Sequence, residues 1–108
     1  MNQKKRNDLI KRGYHVTSAQ DFLNLSDEEI ALIDLKIRLI EKLKNVRRSR
    51  KITQLQLARL IHSSQSRVAM LEQGRPDVSL DLICRALFAL GVGPREIGRA
   101  ITSRKAGV

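Results

Sequence analysis

Aromatic side chains are nearly missing from this chain: Tyr14, Phe22 and Phe88 are the three in 108 residues. The core must therefore be aliphatic, and a surface that stacks bases on aromatic rings, the habit of single-strand and many RNA binders, is disfavoured. A single cysteine, Cys84, rules out an internal disulfide, and no Cys/His spacing suits a zinc site. No apolar run reaches membrane-spanning length, and the opening MNQKKRNDLIKRG has basic residues but no apolar stretch of a secretory signal. A soluble cytoplasmic protein is expected, with no metal or cofactor. No segment reads as a strand, and no internal repeat appears. The length suits one domain and one layer of packed helices, not a two-lobed enzyme with a deep cleft.

What the chain does have is positive charge. Lys and Arg number 21 against 11 Asp and Glu, a net charge of +10. Residues 36–51 hold Lys36, Arg38, Lys42, Lys44, Arg47, Arg48, Arg50 and Lys51 with one acid, Glu41, whereas residues 17–35 hold five acids and no base. Such a block beside a folding region is an electrostatic footprint for a polyanion; the plainer alternative is a solvated helix face.

Residues 1–25 lack periodicity and read as a partly disordered N-terminal arm. A helical domain is expected over 26–103, followed by a polar tail, 104–108. Ser26 with Glu29 three residues on forms a capping box at a helix start. Two apolar lines follow, Ile30, Ile33, Ile37, Ile40 and Leu35, Leu39, Leu43, Val46, in one long helix or two broken near Asp34. Thr53 and Gln56 make a second capping box, with Leu57, Ala58, Leu60 and Ile61 expected on the buried side. Ser64 can cap a helix 65–73 closed by Gly74, and Ser79 another in which Leu80, Ile83, Leu87 and Leu90 form the apolar stripe. Cys84 reads as a small buried residue of that helix. Pro94 starts a last short helix with Ile97 and Ile101 facing inward. The whole is all-α, a small bundle of about five helices.

Between the second and third helices stands HSSQSR, residues 62–67. A Ser/His nucleophile there needs an orienting carboxylate and an oxyanion site, and no local acid is present. Two short capped helices joined by about three residues make instead a helix-turn-helix. Residues 52–74, ITQLQLARLIHSSQSRVAMLEQG, resemble the helix-turn-helix of Cro/C1-type (XRE) regulators at Thr53, Gln54, Leu57, Ala58, Ser64, Val68, Glu72 and Gly74. The continuation DVSLDLICRALFALGV resembles the next helix of that family, especially its HigA-like antitoxin branch. The likeness covers about residues 35–93 and implies a lambda-repressor-like DNA-binding fold. It departs at His62 and Ser63, where the family usually has glycine and an aliphatic residue.

Turning about 100° per residue puts Val68 and Leu71 on the inner side of helix 65–73 and Ser66, Ala69, Met70 and Gln73 on the outer. That outer face is small, polar and free of carboxylates, as entry into a phosphate-lined groove requires. A second protein would also tolerate such a face. Gln65, Ser66, Arg67, Ala69 and Met70 are the expected base contacts, since Gln matches adenine and an apolar side chain can meet a thymine methyl. Lys51, Gln73 and Arg75 are expected at phosphates, with Arg50 a further candidate; the resemblance adds Gln54, at a helix N-terminus that suits an anion. The resemblance also implies a structural ion pair between Arg47 and Glu72. The expectation is a sequence-specific regulator of double-stranded DNA, a repressor acting as a homodimer because one helix reads few base pairs. Spare apolar surface on residues 26–47, or the Ile97/Ile101 helix, would serve pairing. The alternative is an antitoxin that neutralises a small basic toxin through residues 1–35, acidic in their second half, and also binds its own operator.

Overall fold

The structure is a computed structural model that describes residues 24–75 and 78–102. The expected arm, apart from Asn24 and Leu25, and the tail lie outside the described residues. Five helices follow in order: α1 Asp27–Ser49, α2 Gln54–Leu60, α3 Gln65–Glu72, α4 Leu80–Ala89 and α5 Pro94–Thr102. No strand occurs among the described residues.

The helix starts are fixed by side chains named in the sequence. Ser26 Oγ accepts from the Glu29 amide at 3.1 Å while Glu29 Oε1 accepts from the Ser26 amide at 3.0 Å. Thr53 and Gln56 make the same reciprocal pair at 3.0 and 2.8 Å. Ser64 and Ser79 each accept one amide, from Arg67 and Leu82. Each cap satisfies amides that no helical carbonyl can reach.

The helix ends follow one geometry. At α1, α2 and α4 the residue after the cap is left-handed: Lys51 at φ 56°, His62 at φ 55° and Gly91 at φ 82°. In each, its amide bonds back to the carbonyl three residues earlier and the next amide reaches a carbonyl five back, as in Ser63 to Ala58 at 2.8 Å. These are Schellman motifs, which commonly place glycine at that position. Two of the three do without it.

α1 is one unbroken helix. Asp34, the suspected break, lies inside it and accepts from Arg38 Nε at 3.2 Å. Its apolar residues divide along the helix between two clusters. Leu39, Ile40, Leu43 and Val46 join Leu57, Ala58, Val68, Leu71, Ile83, Leu87 and Val92 in the main core. Ile30, Ile33 and Ile37 form a second cluster with Leu25. These isoleucines are buried, so they offer no spare surface for pairing; Leu32, at 44% exposure, is the large apolar residue left open on α1.

Three burial expectations need correction. Leu60 is 52% exposed. On a helix turning about 100° per residue, Leu57, Ala58 and Ile61 share one side and Leu60 lies about 110° from its centre. Ile101 is exposed, since Ile97 and Ala100 already reach the edge of the core. Cys84 is half-buried rather than buried; its desolvation, and then the charge of Asp81, push the thiol pKa up. A thiol so shifted is a weaker nucleophile at neutral pH.

Candidate nucleic-acid interface

α3 is held by its inner side. Val68 and Leu71 are fully buried and Glu72 nearly so, whereas Gln65, Ser66, Arg67, Met70 and Gln73 are exposed and Ala69 is half-buried. The outer face therefore carries the residues expected there. It contains no carboxylate.

A chain of hydrogen bonds crosses from α1 to the tip of α3. Arg47 Nε and Nη2 donate to the two oxygens of Glu72 at 2.6 and 2.8 Å, and Nη1 donates to the Ile52 carbonyl at 2.9 Å. Gln54 Nε2 donates to Glu72 Oε1 at 3.1 Å, and Gln65 Nε2 donates to Gln54 Oε1 at 2.8 Å. The direction of this chain is dictated by its buried end. An ionised carboxylate only accepts, so Gln54 must turn its NH2 towards Glu72 and its oxygen towards Gln65. Gln65 is then left with its own Oε1 and a second amide proton, the acceptor–donor pair that complements adenine.

The electrostatics agree. Burial raises the Glu72 pKa, but hydrogen bonds from Arg47 and Gln54 and the charges of Arg47 and Lys44 outweigh it and hold the carboxyl below 4.5. Glu72 is thus an anion whose charge is matched inside the fold, not one offered to the surface. Bonding to Glu72 raises the Arg47 pKa, against the opposing effect of burial.

The other expected residues divide. Lys51 is exposed, at the left-handed end of α1. Gln54 stands at the first position of α2, engaged on both sides but partly accessible. Arg75, just beyond Gly74, is half-buried. Arg50 is exposed, as Lys51 is, and its Nη1 donates to the Leu90 carbonyl at the C-terminal end of α4.

One feature was not anticipated from sequence. Ser66, Arg67 and Met70 form one wall of an open groove of about 370 Å³, and Val78, Ser79 and Leu82 form the other. No local pattern joins residues 66–70 to 78–82, because the pairing depends on how α4 returns after Gly74.

Residues 43–97, about half of the chain, match the helix-turn-helix family. The chain belongs to this XRE-type helix-turn-helix family. No curated protein and no solved structure matches it. As a helix-turn-helix protein it is a DNA-binding transcriptional regulator, of a family that is regulatory rather than typically enzymatic. In this helix-turn-helix protein α2 and α3 are the two helices of the motif, and the turn between them is HSS, residues 62–64. No helix among the described residues is long and apolar enough to cross a membrane.

Proposed function

We propose that the protein is a sequence-specific repressor that reads the major groove of double-stranded DNA with α3. The observation that carries the reading is the hydrogen-bond chain Arg47–Glu72–Gln54–Gln65, which ends in a glutamine with a free acceptor and donor at the exposed tip of α3. Gln65 and Ser66 contact base edges first, Arg67 lies on the flank, and Ala69 and Met70 meet apolar base surface such as a thymine methyl. Gln54, Lys51, Gln73 and Arg75 contact phosphates, which sets register and affinity rather than sequence choice. Arg47 and Glu72 brace the site and touch no DNA. Two copies pair so that their α3 helices enter successive turns of the groove, about 34 Å apart.

The test is binding to the DNA upstream of the protein's own gene, against an unrelated duplex, over a range of salt. Wild type prefers its own DNA, and Gln65→Ala and Ser66→Glu lose that preference. Wild-type behaviour of both variants would reject α3 as the reading helix.

The second reading, an antitoxin that also binds its operator, draws on the HigA-like resemblance. It is favoured by the exposed acids Asp27, Glu28 and Glu29 in the first turn of α1, which suit a basic partner. Co-purification with the product of an adjacent gene tests it. Purification of the protein alone from cells expressing both would reject it.

A further inference from the structure

The cations of α1 are of two kinds. Arg38 and Lys42 are engaged towards α5: Arg38 bonds Asp34 and, at 3.3 Å, the Ile101 carbonyl, and Lys42 lies 3.5 Å from Glu96. Arg47 is neutralised by Glu72. Lys44 and Arg48, and Lys51 beyond the helix end, join no ion pair among the described residues.

Lys44 lies on the flank of α1 nearest the residue that grips α3, and Arg48 continues that flank. With about 100° per residue, Lys44 stands about 60° from Arg47, the residue that grips α3, and about 160° from Lys42. Arg48 is one turn beyond Lys44 and about 40° round from it. The charge of Lys44 is felt by Glu72, at the C-terminal end of α3. Since Arg47 already matches Glu72, Lys44 and Arg48 add positive charge beside it that no ion pair among the described residues takes up. Lys36 also joins no ion pair among the described residues but lies two turns further back, about 12 Å from Lys44 along the axis.

We propose that Lys44 and Arg48 are phosphate-contacting residues, which with Lys51 form a second anion-binding ridge on α1 beside the recognition helix. The ridge takes the sugar-phosphate backbone of the same duplex that α3 reads, and so rests on the function proposed above. Its contribution is blind to sequence. Each cation that meets a phosphate releases condensed counterions, so removing it lowers the steepness of the salt dependence by about 0.9.

The experiment measures the dissociation constant of the full-length protein for a random-sequence duplex and for its upstream DNA over a series of salt concentrations. Lys44→Gln and Arg48→Gln are compared with Arg99→Gln, an exposed cation on α5 that joins no ion pair among the described residues. Each of the first two variants reduces the slope of log affinity against log salt by about 0.9 on both duplexes, and Arg99→Gln leaves it at the wild-type value. Unchanged slopes for Lys44→Gln and Arg48→Gln overturn the ridge, and so does an equal fall for Arg99→Gln, which assigns the effect to overall charge. Failure of wild type to bind either duplex overturns the regulator reading itself. Melting temperatures matching wild type keep the comparison free of folding effects.

Discussion

Arg47 and Glu72 are 25 residues apart and meet through two parallel hydrogen bonds of 2.6 and 2.8 Å, with both side chains nearly buried. The pair ties the long first helix to the end of the reading helix. Removing one partner leaves the other charge without compensation, which costs roughly 3 kcal/mol. Glu72→Ala should lower the melting temperature by more than about 10 °C in a domain of this size. An unchanged melting curve would contradict the brace.

The same pair makes stability depend on pH in one direction. The folded Glu72 pKa lies below its ordinary value of 4.5. Its stabilisation is therefore complete above that value and is lost as pH falls through the folded pKa. Wild type should melt at a steady temperature down to the ordinary carboxylate range and at lower temperatures below it. Glu72→Gln starts lower at neutral pH, and its deficit narrows on acidification. A constant gap between the two curves would count against this assignment.

At the tip of α3, Gln65→Ala should remove about 1–3 kcal/mol of discrimination between the operator and a site altered at one adenine, with little change on random DNA. Gln54→Ala differs in kind. It weakens binding to all sequences through the lost phosphate contact and also frees Gln65. Equal behaviour of the two variants in a competition assay would undo the division of labour between them.

The left-handed turn residue His62 has a strained conformation for a side chain with a Cβ, at about 1–2 kcal/mol. His62→Gly should raise the melting temperature by a few degrees, the relief partly offset by the greater freedom of glycine in the unfolded chain. His62→Val should lower it, because a branched side chain fits this region worst. Calorimetry on the three proteins decides the order. A histidine that outranks glycine would mean that its ring holds the turn.

Arg50→Ala should lower stability by about 1 kcal/mol, through the lost bond to the Leu90 carbonyl, and leave the salt dependence of DNA binding unchanged. A flatter salt slope would return Arg50 to the DNA surface.

Much of this was legible from local chemistry. Ser26, Thr53, Ser64 and Ser79 act within three residues of themselves, so each helix start could be read from short stretches. Gly74 and Gly91 marked ends for the same reason. What escaped depended on packing between distant segments. The bond from the exposed Arg50 to the Leu90 carbonyl and the groove between Met70 and Leu82 both exist only because α4 folds back. Leu60 closely follows Leu57 and Ala58 in sequence, but its angle around α2 turns it to solvent. The Arg47–Glu72 contact spans 25 residues and was suggested by family likeness, not by spacing.

The bond from Gln65 to Gln54 has a consequence for the timing of recognition. A long polar side chain that orders only on binding loses roughly 0.5–1.5 kcal/mol of rotamer entropy at that moment. Gln65 has already made that adjustment in the free protein, because Gln54, steadied by Glu72, holds its amide. The loss belongs to folding, not to association. A variant that loosens Gln54 should therefore change how long a complex with the correct site persists more than how often it forms. Selectivity for bases would then be governed in part by a residue in α2 that meets none of them.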